Sequence, residues 1–198
     1  MKVIGLTGGT GSGKSVVSAW LKDKGAVVID ADAVAHGIIE KGKPAYLEIV
    51  DYYGKEILDT SGHIVRKSLG NIVFKDKNKL EFLNRCTHKY INHEINSQME
   101  QAKAEKSGRC IILDAPLLFE AGLQEKCDTI WAVVAEEQVR IQRIMNRDGL
   151  SYQQALERIS AQKSRAEYEA LANVVIDNSG DLASLEKKLK GLLPCIKN

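Results

Sequence analysis

The chain has 198 residues, and 28 Lys and Arg stand against 26 Asp and Glu, a net charge of +2. No overall basic field marks a nucleic-acid binder, and no apolar run approaches the ~20 residues of a membrane-spanning helix. An apolar fraction of 44% is that of an ordinary globular chain, and this length predicts one domain with attached lobes. Separate expectations are a cytoplasmic setting and a monomer or small homo-oligomer.

The start, "MKVIGLTGG", has an apolar run too short for the core of a signal peptide. Five β-branched apolar runs read as strands: Val3–Leu6, Ala26–Ile29, Cys110–Leu113, Thr129–Val134 and Asn173–Ile176. Each is continuous rather than alternating, the pattern of strands buried on both faces of a parallel sheet. Helical spacing fills the intervals. Val16/Trp20 and Val17/Leu21 are i,i+4 pairs, Ile91, Ile95, Met99 and Ala102 stripe a long helix from about Asp76, and Arg140–Arg147 and Gln153–Lys163 continue the pattern. Strand and helix in alternation predict an α/β fold with a parallel sheet. Two stretches exceed a minimal alternation: residues 33–109, mostly helical, and residues 148–172, a polar, charged helical pair. Ligands of open α/β sheets lie beyond the carboxyl ends of the strands, where such insertions serve as a substrate lobe and a lid. Cys86, Cys110, Cys127 and Cys195 form no C-x-x-C pair and read as free thiols. His88 and His93 are five apart, off a common helix face, so no metal cage is expected.

"GLTGGTGSGKSVV", which begins within the first strand, places five glycines in nine residues. Gly8 to Ser15 match G-x-x-x-x-G-K-[ST] between a strand and a helix, the context that gives the motif meaning. Glycines let successive backbone N–H groups curl around phosphate, and the helix N-terminus adds unpaired N–H groups and partial positive charge. Gly8, Gly9, Gly11, Ser12, Gly13, Lys14, Ser15 and Val16 are therefore the candidate nucleotide-binding residues. Lys14 would reach the β- and γ-phosphates, and the Ser15 hydroxyl would bind Mg²⁺.

A phosphate loop alone does not separate a kinase from a GTPase switch. The nearest text to the guanine motif N-K-x-D is Asn78-Lys79-Leu80-Glu81, with the wrong acid and no strand before it. Asp30 and Asp32, i,i+2 at the end of the second strand, point the same way there. One could accept a proton from an acceptor hydroxyl and the other could hold Mg²⁺. Asp32 before Ala33 also reads as a helix N-cap. Asp114 ends the third strand as a second carboxylate on the Mg²⁺ side, and Pro116 with small residues makes 115–122 a shaped wall rather than a helix start. Arg140, Arg143 and Arg147 share one helix face before the polar insertion, suited to neutralising charge on a transferring phosphoryl group. A kinase of another small acceptor and a non-catalytic nucleotide sensor remain alternatives at this point.

"IGLTGGTGSGKS", "VIDADAVAH", "GKPAY", "YGKEILDTSGHIVRKSL", "APLLFEAGL", "RIQRIMNRDGLS", "ERISAQ" and "NVVIDNSGDL" follow one another along nearly the whole chain. In this order they resemble the dephospho-CoA kinase family. The family usually has His-Pro where this chain reads His88-Lys89, Phe-Gly where it reads Tyr53-Gly54, and Ala-Asp where it reads Ala172-Asn173. The resemblance implies transfer of the ATP γ-phosphate to the ribose 3′-hydroxyl of dephospho-CoA, with ATP and Mg²⁺ required. It implies a P-loop kinase fold with a five-stranded parallel sheet: a core of 1–32, 110–147 and 173–198, a helical CoA-binding lobe of 33–109 and a lid of 148–172. Carried over residue by residue, it makes Asp32 the base, sets Arg66 and Leu117, Leu118, Phe119 and Glu120 against the acceptor, has Arg140 and Arg147 act from the lid, and puts Asn178 near the adenine.

Overall fold

A computed structural model describes residues 1–192, so Cys195 lies outside the described residues. Five strands, β1 (Val3–Thr7), β2 (Val27–Asp30), β3 (Ile111–Asp114), β4 (Thr129–Val134) and β5 (Val174–Asp177), form one parallel sheet in the order β2-β3-β1-β4-β5. β1 and β3 are buried along their whole length, which explains why their sequences are apolar without alternation. β4 has the expected bounds. β2, β3 and β5 begin one residue later than their apolar runs and end one residue further, on Asp30, Asp114 and Asp177. The ladder continues through two of these acids: Asp114 stands opposite Leu6, and Asp177 opposite Val134.

This register positions the site. Leu6 pairs with Asp114 on one side and Trp131 on the other, so β1 and β3 end within a residue of each other while β4 runs on past them to Val134. The chain leaves β1 toward β2 on one side and crosses from β3 over β1 to β4 on the other. Such a switch in direction opens a crevice at the carboxyl ends of the strands.

The helices are α1 (Lys14–Asp23), α2 (Ala31–Gly37), α3 (Pro44–Tyr53), α4 (Arg66–Val73), α5 (Lys77–Glu105), α6 (Glu137–Asp148), α7 (Tyr152–Ser160), α8 (Arg165–Leu171) and α9 (Leu182–Leu192). Of the two pairs expected on α1, Val17 and Leu21 are buried while Val16 is exposed. They join Ile4, Leu6, Ile112, Trp131, Val133, Ile176, Leu185 and Leu189 in the main core. Trp131 is fully buried at its centre, where truncation to Ala would cost about 3–5 kcal/mol. Residues 115–122 are turns, without a helix start, as Pro116 suggested.

The 148–172 insertion is less polar in its contacts than in its composition. Ala155 and Ile159, one turn apart on α7, pack on Ile141 and Ile144 of α6. Tyr168 of α8 packs on Ala132 and Val134 of β4. Capping boxes start both helices, Ser151 with Gln154 and Ser164 with Glu167, and each cap contributes about 1 kcal/mol. The expected Gln153–Lys163 helix therefore stops at Ser160, because Ser164 starts a new one.

By its internal contacts the chain divides into two compact units, Met1–Ile29 with residues from Ala102 onward, and Asp30–Gln101. The second has its own core of Ile49, Tyr53, Ile57, Leu69, Val73 and Cys86. Pro44 opens α3, and Gly54 with φ 81° closes it. The Tyr53 hydroxyl donates to the Lys79 carbonyl at 2.5 Å, and burial pushes its pKa up to about 12. Lys89 sits inside an unbroken α5 and donates to Glu48 at 3.2 Å. Its backbone N–H is one that a proline would lack. Cys86, Cys110 and Cys127 are free thiols, each held by burial at a pKa of about 11.

Candidate active site

The glycine loop joins β1 to α1 and is held from outside by side chains of three elements. Arg140 of α6 is buried and donates from Nε to the Thr10 carbonyl at 2.9 Å and from Nη2 to Gln162 Oε1 at 3.2 Å. The same Gln162 oxygen accepts the Thr10 N–H at 2.8 Å. Arg143 reaches the Gly11 and Ser12 carbonyls at 3.3 and 3.4 Å and the Asn178 carbonyl at 2.9 Å. Asn178, buried just beyond β5, donates from Nδ2 to the Ser12 carbonyl at 2.8 Å. A buried guanidinium loses several kcal/mol of hydration, and hydrogen bonds from a charged donor return about 1.5–3 kcal/mol each. Burial accordingly lowers the Arg140 pKa from the ordinary arginine value.

The glycines are what this bracing demands. Gly11 has φ 76°, and a Cβ there would lie 2.8 Å from the Arg140 carbonyl oxygen. A Cβ on Gly9 would lie 2.5 Å from Arg140 Nη2. The loop thus follows a path that side chains would block, and turns its inner face to a cavity of about 710 Å³. Gly8, Gly9, Gly11, Gly13, Lys14 and Ser15 line that cavity, with Pro116, Arg143, Arg147 and Gln162. Ser12 is buried and its hydroxyl has no partner among the described residues. Val16 is exposed and does not line the cavity. The Lys14 ammonium, at the start of α1, forms an ion pair with Asp114 at the carboxyl end of β3.

The three arginines do share a face, with different duties. Arg140 and Arg143 are spent on the loop itself. Arg147 lines the cavity and pairs with Asp148, which also accepts Arg158 at 2.6 Å. Arg140 and Arg147 both lie in α6, ahead of the 148–172 insertion. That insertion sends in Gln162, from the break between α7 and α8. Sequence reasoning named Asn178 but not Gln162 as a site residue, although the quoted block "ERISAQ" ends on it. A neutral amide at a helix break carries no motif of its own.

The wall after β3 divides by residue. Leu118 is fully buried, and Phe119 packs beside Tyr168 and Val134. Leu117 is exposed, and Glu120 pairs with Lys163 at 3.0 Å. Leu117 and Glu120 line a second cavity of about 350 Å³.

Asp30 and Asp32 differ from their expected pose. β2 ends at Asp30 and α2 starts at Ala31, so the pair does not share a strand end. The N-cap is Asp30, whose Oδ1 accepts the N–H groups of Asp32 and Ala33 at 2.9 and 3.0 Å. Asp32 is thereby relieved of capping and lies exposed in the first turn. His36 is one turn further along α2, and Arg66, the first residue of α4, places Nη1 2.5 Å from its Nε2. Among the described residues no three His, Cys, Asp or Glu side chains cluster to hold a metal ion. Mg²⁺ at phosphoryl-transfer sites needs only one or two protein oxygens beside substrate phosphates, which Ser15 and Asp114 can supply.

Comparison with known proteins fits this geometry. The family model described as dephospho-CoA kinase matches residues 2–184. The chain belongs to the dephospho-CoA kinase family. It is 42% identical to a dephospho-CoA kinase of Carboxydothermus hydrogenoformans over 98% of this chain and 93% of that one. It is 40% identical to one of Lactobacillus johnsonii over 96% of each. A dephospho-CoA kinase structure from Campylobacter jejuni superposes with a TM-score of 0.73 at 28% identity, over 100% of this chain and 98% of that one. A shikimate kinase from Bacteroides thetaiotaomicron, at 14% identity and a TM-score of 0.55 over 100% of this chain and 99% of that one, shares the fold.

Proposed function

We propose that this chain transfers the γ-phosphoryl group of ATP to the ribose 3′-hydroxyl of dephospho-CoA, giving CoA and ADP, the last step of coenzyme A synthesis. The observation that carries this reading is the braced glycine cradle with Lys14 at its mouth, in a chain whose family match runs from residue 2 to residue 184. In the reaction the 3′-oxygen bonds to the γ-phosphorus, the bond from that phosphorus to the β,γ-bridging oxygen breaks, and ADP leaves. The hydroxyl proton goes to the Asp32 carboxylate, which helix capping does not occupy. Lys14 exchanges Asp114 for the β- and γ-phosphates, and Arg147 turns from Asp148 to the transferring group. Arg140, Arg143 and Asn178 keep the loop in shape. Gly8, Gly9, Gly11, Gly13 and Ser15 surround the phosphates.

Ser15 and Asp114 would hold Mg²⁺, with Asp30 at the same end of the sheet, and the ion would offset charge on the phosphate oxygens. Arg66, Leu117 and Glu120 face the acceptor, in a helical lobe of 33–109 and in the wall after β3. The 148–172 segment acts as the lid. The proposed setting is the cytoplasm, which fits the absence, among the described residues, of a helix long and apolar enough to cross a membrane.

The test is ADP release from ATP and Mg²⁺ with dephospho-CoA, AMP, CMP or shikimate as acceptor. Dephospho-CoA should be strongly preferred, because the 33–109 segment is larger than a simple nucleotide acceptor needs. Comparable turnover with any of the others would reject the assignment of acceptor.

A further inference from the structure

The 148–172 segment leaves α6 through a short joint, Gly149, Leu150 and Ser151. Gly149 takes φ 67° and its N–H donates to the Met145 carbonyl, and Ser151 opens α7 with its capping box. Ala155 and Ile159 then pack α7 back onto Ile141 and Ile144 of α6. Arg158, the residue before Ile159, is carried by this packing to the end of α6, where it reaches Asp148.

The carboxylate it meets is already in use. Asp148 accepts Arg147 Nε on Oδ1 at 2.7 Å and Arg147 Nη2 on Oδ2 at 2.9 Å, the two parallel bonds of a bidentate fork. Oδ2 also accepts Arg158 Nη1 at 2.6 Å. Isolated surface ion pairs contribute little, but a bidentate fork within a network is the exception. Arg147 first, and Arg158 after it, hold the Asp148 carboxyl below its ordinary pKa. The Asp148 side chain is 23% exposed, against 62% for Arg147 and 47% for Arg158. The carboxylate is therefore the shielded member that requires a partner. Arg147 is the outlying member, and it stands on the wall of the phosphate cavity.

The charges set what can leave. Two guanidinium groups share one carboxylate, so the cluster holds a surplus of positive charge. If Arg147 moves to a phosphoryl group, Asp148 and Arg158 remain as a neutral pair. Without Arg158 the same move would strand a carboxylate near the phosphates, where like charges repel, and Arg147 would be held back on Asp148.

We infer that Arg158 is a positioning residue: it stays on Asp148 as the replacement counter-ion, so that Arg147 can leave that carboxylate for the transferring phosphoryl group. This rests on the functional reading above and gives the α6–α7 joint a part in the chemical step. Arg147 is released only while α7 is seated on α6, because only then does Arg158 reach Asp148.

The experiment is steady-state kinetics on the full chain with Arg158→Met, Asp148→Asn and the double variant, each with a thermal melt. A charge-assisted pair in a half-exposed setting corresponds to about a three- to tenfold effect. Arg158→Met should lower kcat by about that factor with KM for both substrates little changed, the pattern of an interaction made only in the transition state. Asp148→Asn removes the anion that competes for Arg147, so the double variant should turn over faster than Arg158→Met alone. An unchanged kcat in Arg158→Met would overturn the proposal. So would the same loss in the Asp148→Asn background, which would mean that Arg158 touches the phosphates itself or serves only the fold. If the wild type makes no CoA, the functional reading fails on its own. The switch is then read from the arginine Nε–H signals by NMR on adding Mg²⁺ and the β,γ-imido analogue of ATP. A shift of the Arg147 signal that is lost in Arg158→Met and regained in the double variant supports the proposal. An Arg147 signal that does not respond, or that responds equally in Arg158→Met, overturns it.

Discussion

The two compact units carry their polar chemistry in opposite ways. In the unit that holds the sheet, Arg140 and Asn178 are buried and aimed at the phosphate loop, and Arg143 adds three carbonyl contacts. In the unit from Asp30 to Gln101, Asp32, His36 and Arg66 are exposed on short helices. The buried core of that unit holds α3, α4 and the start of α5 together. The difference is one of preorganisation. A triphosphate needs many N–H groups at fixed positions, and fixing them requires buried donors behind the loop. An acceptor hydroxyl needs one base and one cation, which can stand on a surface until substrate covers them.

Replacing Asp32 tests the acceptor half of that contrast and should have the largest effect. Because Asp30 is the cap, Asp32→Asn should leave the melting temperature unchanged. General-base contributions are about 10²–10⁴-fold, so turnover should fall by that factor while ATP affinity holds. Active Asp32→Asn enzyme would place the base elsewhere, and a parallel loss of ATP binding would assign Asp32 to the metal.

Lys14→Ala tests the nucleotide half. Losing one strong electrostatic contact in the transition state costs about a hundredfold or more. The variant also leaves Asp114 without its ion partner, so a thermal melt should accompany the assay. Pairing it with Asp114→Asn should restore any lost stability without restoring turnover. Near-normal turnover in Lys14→Ala would break the phosphate-loop assignment.

The smallest effect concerns acid. Asp177 at the end of β5 is held down to about 2 from 3.8, first by hydrogen bonding to Ser179 and also by Arg165. A depressed carboxylate stabilises the fold above its unfolded pKa, and that contribution disappears as pH falls through the folded value. Stability should therefore decline between about pH 4 and about pH 2, and less steeply in Asp177→Asn. Equal acid slopes by denaturant titration would show that the carboxylate does not anchor this strand end.

The sheet and the phosphate loop were legible because their signals are local. Thr129–Val134 is a continuous apolar run with no acid at its end, and its bounds are those of β4. Where a strand ends on an acid, an apolar count stops one residue short of Asp30, Asp114 or Asp177. The roles of the two aspartates were not legible. The sequence reads Asp32 as the candidate cap of α2, and only the turn of the backbone at Ala31 assigns the cap to Asp30. The resemblance expects Arg140 to act on the transferring phosphoryl group from the lid and Asn178 to lie near the adenine; what no motif announces is that both donate hydrogen bonds to the backbone of the loop. Gln162 was missed because its position depends on how α7 and α8 pack against α6 and β4. The apolar stripe that sets this packing, Ala155 and Ile159, is short and surrounded by charge.

The central claim is the identity of the bond that forms. Incubating the protein with dephospho-CoA, Mg²⁺ and ATP carrying a labelled γ-phosphate, then locating the label by phosphorus and proton NMR, tests it directly. The expected product is CoA with one labelled phosphate on the ribose 3′-oxygen and one ADP formed per CoA. Label at the 2′-oxygen, on the tail, or only in free phosphate would contradict the account.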